Sequence, residues 1–279
     1  MTRSLAALLL LAGCGKREPG AAPAAPPTTM PISNRTPSPP DPGLPDGWSI
    51  LPAPSERELM CANHSDDEWR VAIDATGVHL TKAAQREPSD GPQLPFTLPQ
   101  GTLADGRRHV LAVADGFLVG TDAGEWGGAL QWFSKDGTRH AQLADANVRG
   151  LVALGANEVL VLEGLNHLSL REGTARWVVH DHGTWRSAHT AQLDAGPSAL
   201  VAAADAVYTV TPSSLTRIKR DRTVEIVQPI DTTYLYPDSM AVDATGQLWI
   251  GMRHYVVRLT PAGARYTVAW LARGPCVPR

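Results

Sequence analysis

The sequence has few charged and few aromatic residues, and it lacks the patterns that mark most enzymes and membrane spans. Charged residues make up 19% of the 279 residues, the net charge is −3, and no charge run exceeds a few residues. A basic footprint for nucleic acid is therefore missing. No Gly-x-Ser-x-Gly motif is present, no second apolar stretch approaches the roughly 20 residues that span a bilayer, and helical periodicity is absent. These absences favour an all-β protein, with no nucleic-acid partner.

The first 14 residues carry an export and anchoring signal. Arg3 precedes an apolar run from Ser4 to Leu11, and the run ends in Leu-Ala-Gly-Cys at positions 11 to 14. The run is too short to cross a membrane. It resembles the signal peptide of bacterial lipoproteins, whose lipobox ends in the lipidated cysteine. The resemblance implies that residues 1–13 are removed and that Cys14 carries the lipid chains that anchor the protein to a membrane. The alternatives are an ordinary secretory signal with an accidental cysteine and a buried apolar N-terminus.

The residue after Cys14 predicts which membrane holds the anchor. In lipoproteins of Gram-negative bacteria, Asp at this position tends to retain the protein at the inner membrane, whereas this chain has Gly15. For a Gram-negative host, the resemblance therefore implies the outer membrane, at its periplasmic face or at the cell surface.

A proline-rich segment follows the lipidation site. Ten of the 33 residues from Gly15 to Gly47 are Pro, and no apolar period is present. Proline fixes φ and removes backbone donors, so neither helix nor sheet is expected over residues 14–47. We interpret the segment as a disordered tether with a reach between about 30 Å as a coil and about 100 Å when extended. The folded domain then occupies residues 48–279.

The two remaining cysteines lie near the ends of the folded domain. An exported compartment permits a disulfide between Cys61 and Cys276. Two free buried thiols are the alternative. A metal site is less favoured, because a site with two cysteines would need nearby histidine partners and a closer spacing of the cysteines.

Five copies of a short apolar pattern run through this domain. Ser239 to Gly251 and Trp69 to Leu80 both read as a strand, an Asp-Ala-Thr-Gly turn and a second strand. Equivalent second-strand residues lie 40, 42, 48 and 41 residues apart at Val78, Leu118, Leu160, Tyr208 and Trp249. A third and a fourth strand follow the later copies, with turn glycines that supply positive φ. Four short strands every 40 to 48 residues is the period of a propeller blade.

The fifth copy, around Gly246-Gln-Leu-Trp-Ile-Gly251, resembles the repeats of two-component-regulator-type and NHL-like propellers. We therefore expect an all-β, five-bladed β-propeller of four-stranded blades; a pair of β-sandwiches is the alternative. A strand near Leu59 to Cys61 would lie beside the last blade and allow the disulfide to close the ring. The alternation of apolar and polar residues along the strands predicts that seven side chains point into the core: Val113, Leu118, Leu154, Leu160, Tyr208, Val242 and Trp249.

Two segments are candidates for ligand contact. Trp126 stands in a Gly-rich loop, and His180-Asp181-His182 precedes Trp185 in the longest repeat. Both segments look polar and irregular, so Trp126, Trp185 and His182 are candidate ligand contacts. His180, Asp181 and His182 could together bind a metal such as Zn²⁺, although a solvated polar loop is the simpler interpretation.

These features predict a functional class for the protein and leave its ligand unidentified. Rigid discs with variable loops suit recognition, so we expect a monomeric binding or scaffold module for an envelope protein or glycan, without a cofactor. The alternative is a carbohydrate-active enzyme, a glycosidase or lyase, with its site in the central tunnel. Four carboxylates near strand ends are the candidates for that chemistry: Asp115, Asp122, Glu163 and Asp238.

The lipobox interpretation predicts that Cys14→Ser abolishes acylation and leaves the signal peptide uncleaved by the lipoprotein-specific peptidase, because the thiol is the acceptor of the first acyl group. Metabolic labelling with a palmitate analogue measures this. Equal label in the variant and in the parent would refute the interpretation.

Overall fold

A computed structural model describes residues 44–83, 89–98 and 106–276 of the chain. The predicted signal peptide, Cys14 and the tether as far as residue 43 lie outside the described residues. Within these three ranges, one α-helix and a short 3-10 helix accompany 20 strands. No helix in this part of the chain is long and apolar enough to cross a membrane.

The N-terminal part of the domain forms two sheets. In chain order its elements are β1 (Ser49–Leu51), α1 (Glu56–Asn63), β2 (Trp69–Asp74), β3 (Gly77–Lys82), β4 (Ser89–Asp90), β5 (Arg107–Val113), β6 (Gly116–Asp122), β7 (Leu130–Ser134) and β8 (His140–Ala144). Strands β2 and β3 pair with each other, and β4 to β8 form a second sheet in which β4 runs parallel to β5.

Three antiparallel sheets follow. Their strands are β9 (Val148–Gly155), β10 (Glu158–His167), β11 (Leu170–Asp181) and β12 (Thr184–Leu193), then β13 (Ala199–Ala202), β14 (Ala206–Val210), β15 (Ser214–Lys219) and β16 (Val224–Pro229), and finally β17 (Ser239–Val242), β18 (Leu248–Gly251), β19 (Val256–Ala262) and β20 (Arg265–Ala272). Each sheet is a meander, so neighbours in sequence are neighbours in space.

The five sheets are the blades of a β-propeller, as the repeat predicted. Strand β17 lies beside both β2 and β13, and β9 lies beside both β13 and β5, so the inner strands follow one another around a centre. The prediction of four strands per blade holds for the third and fourth blades. Among the described residues the first blade has two strands, the second gains β4, and the fifth gains β1.

Both ends of the domain meet at the fifth blade. Strand β1 adds to its outer edge antiparallel to β20, with Ser49 opposite Ala272. The predicted disulfide is formed between Cys61 and Cys276, which lie 215 residues apart in sequence and 6.1 Å apart at Cα. Closing a loop of this length is worth about 5 kcal/mol in the chain-entropy model, as an upper bound.

The prediction of a strand around Leu59 to Cys61 is wrong, because these residues belong to α1. The helix begins with a capping box: Glu58 N donates to the Ser55 hydroxyl, and Ser55 N donates to the Glu58 carboxylate at 2.8 Å. Leu59 and Ala62 face the core between the fourth and fifth blades. Because only Leu59 and Ala62 of this short helix are buried, the sequence shows no helical period of apolar residues here.

The first and fifth blades are joined by three tryptophans. Trp48 and Trp69 pack edge to face at 4.8 Å, and both belong to a buried cluster with Trp249. Of the predicted inward residues, Leu118, Leu160, Tyr208 and Trp249 are buried, and Val113, Leu154 and Val242 pack against the core while partly exposed. The repeat alignment therefore identified the core positions of four different blades.

Removing the Trp249 side chain should lower the free energy of unfolding by about 3–5 kcal/mol, because Trp249→Ala leaves a cavity where blades one and five meet. The matched control is Trp126→Ala, since Trp126 is 81% exposed and Trp249 is 3% exposed. Urea unfolding followed by circular dichroism measures both. A loss below about 1 kcal/mol for Trp249→Ala would contradict its place in the core.

Candidate functional site

The two ends of the propeller are built from different connections. In a meander, successive connections alternate between the ends of a blade, so second-to-third-strand loops and blade-to-blade loops share one end. We call this end the loop face and define it by Trp126, Leu168, Tyr234 and Tyr236. The opposite end, the turn face, carries the first-to-second and third-to-fourth connections.

The turn face is closed by short polar turns. Four of its turns contain Asp followed two residues later by Thr, and in each the Thr backbone N–H donates to the Asp carboxylate: Asp74–Thr76, Asp136–Thr138, Asp221–Thr223 and Asp243–Thr245. Hydrogen bonds from Ser134 and from Thr138 lower the pKa of Asp136 to about 2. These carboxylates are used to hold their own turns.

The loop face instead exposes large apolar side chains. Among the described residues, five of the eight exposed large hydrophobics lie there: Trp126, Leu168, Leu170, Tyr234 and Tyr236. None of the remaining three, Ile50, Met60 and Ile226, lies in a turn of the turn face. Among the described residues, exposed large apolar side chains are thus concentrated at one end of the disc.

Trp126 is exposed on a loop that is held in place. The 3-10 helix Gly124–Trp126 is fixed by a bond from Asn147 Nδ2 to the Gly124 carbonyl at 2.9 Å and by the Gly124 N–H, which donates to Asp122. Glu125 lies 3.2 Å from Nδ1 of His167 on the next blade. The indole is therefore exposed on a loop that is fixed from both sides, and its contact with a ligand stays a prediction.

Three apolar residues of the loop face also adopt a strained backbone conformation. Leu168, Tyr234 and Tyr236 have φ values of 54°, 73° and 50°, in the left-handed region that side chains disfavour. Leu235 between the tyrosines is fully buried, and its carbonyl accepts from Arg253 N at 2.7 Å. The Arg253 guanidinium lies 4.2 Å from the centre of the Tyr236 ring. The buried leucine anchors the loop, so both tyrosine rings remain largely exposed.

The prediction that Trp185 offers an open stacking face is wrong. Its side chain is buried, donates from Nε1 to Asp115 at 3.0 Å and packs against the His180 ring at 5.1 Å. The extra residues of the third repeat lengthen β10, β11 and β12 rather than forming an irregular loop. The segment is a regular hairpin on the turn face, and of its four candidate residues only His182, at the tip, is exposed.

The predicted metal site is not assembled. Nε2 of His180 lies 3.3 Å from Asp115, whereas Asp181 pairs with Arg186 at 2.9 Å. His182 is almost fully exposed, with its φ at 48° in the turn. Across the described ranges, no group of three or more His, Cys, Asp or Glu side chains is placed to hold a metal ion.

The four candidate carboxylates do not form one catalytic centre. Asp115 lies on the turn face, where it accepts from Trp185. The other three lie toward the loop face, and each has its own arginine: Asp122 with Arg149, Glu163 with Arg176, and Asp238 with Arg70. Burial first, and then nearby Glu68, raise the pKa of Asp238, while bonds from Ser239 and Arg70 oppose that rise.

Comparisons with known proteins show resemblance in fold only. No protein-family model and no curated protein sequence matches the chain. Among solved structures it is similar to the N-terminal domain of Nup159, with 11% identity and a TM-score of 0.40 over 58% of this chain and 46% of that one. It is also similar to YCF48 bound to D1 peptide, with 13% identity and a TM-score of 0.40 over 80% and 71% of the two chains. A third is apo AztD from Citrobacter koseri, with 11% identity and a TM-score of 0.40 over 71% and 53%.

The chain spans less than half of the Nup159 chain that it matches. Similarity of this extent assigns neither a family nor a ligand, and the candidate site rests on the geometry of the loop face.

Leu168→Asn should raise the free energy of unfolding by up to about 1 kcal/mol, because Asn tolerates the left-handed region better than leucine. Little packing is lost, since Leu168 is 91% exposed. The control is Leu170→Asn, two residues on, where no positive φ has to be relieved. Thermal and urea unfolding measure both variants. A Leu168→Asn protein less stable than the parent would contradict the assignment of strain.

Proposed function

We propose that this chain is a lipid-anchored binding or scaffold module of the bacterial envelope that holds a partner protein on its loop face. The observation that carries the proposal is the coincidence of exposure and strain. Among the described residues, every large hydrophobic side chain with a positive φ is also exposed, and all three lie on the loop face. Backbone strain that places apolar side chains at the surface is typical of ligand-contacting sites.

The composition of the loop face favours a protein over a glycan. Trp, Tyr and Arg are the residues that dominate binding energy in protein interfaces, and Trp126, Tyr236 and Arg253 supply all three types. A tryptophan offers roughly 150–250 Å² of surface at small cost in entropy. Because the Trp126 loop is already fixed, little further ordering is needed when a partner binds.

The N-terminal features complete the proposal. A lipid on Cys14 would hold the protein at the outer membrane, and the tether would let the propeller reach a partner between about 30 and 100 Å away. The polar turn face and the outer strands then remain free, which suits a scaffold.

Site-specific crosslinking in living cells tests this function. A photoreactive amino acid at position 126 should give discrete crosslinked products, whereas one at position 226 should give none. Ile226 is the matched control, because it is an exposed hydrophobic residue (58%) on an outer strand. In the Tyr236→Ala background, the position-126 product should fall severalfold while expression and folding are unchanged. Equal products from both positions, or none from either, would contradict the proposal.

A glycan partner remains the second prediction for the same face. It would appear as quenching of tryptophan fluorescence by envelope glycans in the parent and as an absence of quenching in Trp126→Ala. The carbohydrate-active enzyme has less support, because Asp122, Glu163 and Asp238 are each paired with arginine.

A further inference from the structure

A cavity of about 270 Å³ lies where the inner strands begin, in the centre of the ring and toward the loop face. Residues from β4, β5, β9, β13 and the residue before β17 line it. Its polar lining includes Asp90, Arg107, His109, Arg149, Ser198 and Asp238. Its volume is close to the lower limit for small-molecule sites. The proposed interface on the loop face uses none of these residues.

The charged groups around the cavity are paired with one another. Arg107 Nη2 donates to Asp90 at 2.7 Å, and Nδ1 of the buried His109 lies 3.2 Å from the same carboxylate. Arg149 donates from Nη1 to Asp122 and from Nε to the Pro197 carbonyl at 3.0 Å.

Asp238 completes the set from the neighbouring blade. Its carboxylate accepts from Arg70 Nε at 3.3 Å and from the Ser239 hydroxyl at 3.0 Å, and its side chain is only 7% exposed. Each of the three arginines thus has one partner carboxylate, and the walls of the cavity are close to neutral in charge.

Among the described residues, one buried donor beside this cavity is left without an acceptor, Nε of Arg107. Each of the three carboxylates has two donor groups beside it, and Asp122 gains its second from Gly124 N. A guanidinium carries five N–H groups. Within the described residues, Arg107 uses one of these bonds and its buried Nε has no acceptor. A buried donor without an acceptor is costly, so the cavity favours a ligand that brings acceptor oxygens.

We propose that this cavity binds a small carboxylate monoanion through the guanidinium groups of Arg107 and Arg149, which both line it. The planar fork of a guanidinium matches the two oxygens of a carboxylate. A dianion such as phosphate is disfavoured, because it would place two further negative charges near Asp90, Asp122 and Asp238. An acidic sugar and the carboxylate of an amino-acid derivative share this chemistry.

Isothermal titration of the full-length protein tests the site with four compounds. Glucuronate and N-acetylglycine represent the two sources of a carboxylate, glucose is the neutral match for the first, and inorganic phosphate is the dianion. We expect at least one of the two carboxylates to bind with a dissociation constant below about 1 mM. Binding of neither, or equal binding of glucuronate and glucose, would overturn the proposal, as would tighter binding of phosphate.

Three variants locate the site on the protein. Arg107→Gln should weaken carboxylate binding by about 10- to 100-fold, the worth of a hydrogen bond to a charged group. Asp238→Asn should strengthen it severalfold, because one negative charge leaves the cavity wall. Arg217→Gln is the control, since Arg217 pairs with Glu225 on the outer part of the fourth blade.

The Asp238→Asn result protects the test against misfolding, because a damaged protein does not bind more tightly. Unchanged affinity in both Arg107→Gln and Asp238→Asn would refute the site. Trp126→Ala should leave carboxylate affinity unchanged, so failure of the loop-face proposal and failure of this one are distinguishable.

Discussion

The architecture depends on the fifth blade being built from both ends of the domain. Strand β1 pairs with β20, the Cys61–Cys276 disulfide joins α1 to the C-terminal segment, and the tryptophan cluster joins the first blade to the last. These contacts join residues that lie far apart in sequence. The chain entropy lost when they form is offset only once the intervening blades have folded. Within the described residues the first blade has only two strands. Its packing against the fifth blade is therefore an essential part of its stability.

The two ends of the ring differ in the chemical character of their loops. On the turn face, Asp-x-Thr turns satisfy their own polar groups locally. On the loop face, the connections between blades are longer, and buried anchors such as Leu235 hold exposed neighbours in strained conformations. Such strain persists because the packed core around each loop holds the loop in one conformation. The cavity lined by ion pairs lies near the same end, because the inner strands that line it begin there.

Periodicity was a good guide to the blades and a poor guide to exposure. Spacings of about 40 residues located the inner strands and core positions, since every blade must bury the same face against its neighbours. The sequence analysis does not predict helix α1, although Ser55 and Glu58 form a capping box, because about two helical turns with two buried residues show no clear period. Trp185 was misjudged because its indole donor finds Asp115 on another blade, 70 residues away. Tyr234 and Tyr236 were missed because their repeat keeps its normal spacing.

The all-β class, the five repeats and a candidate disulfide between the two domain cysteines can be predicted from the sequence, because strand alternation, turn residues and the predicted export signal are local features. Which side chains share a surface becomes visible in the folded domain alone. Ion pairs such as Arg70–Asp238 and Arg149–Asp122 span different blades, and left-handed backbone at Tyr234 and Tyr236 follows from burial of Leu235. Both depend on how blades pack around the ring, and no local pattern encodes that geometry.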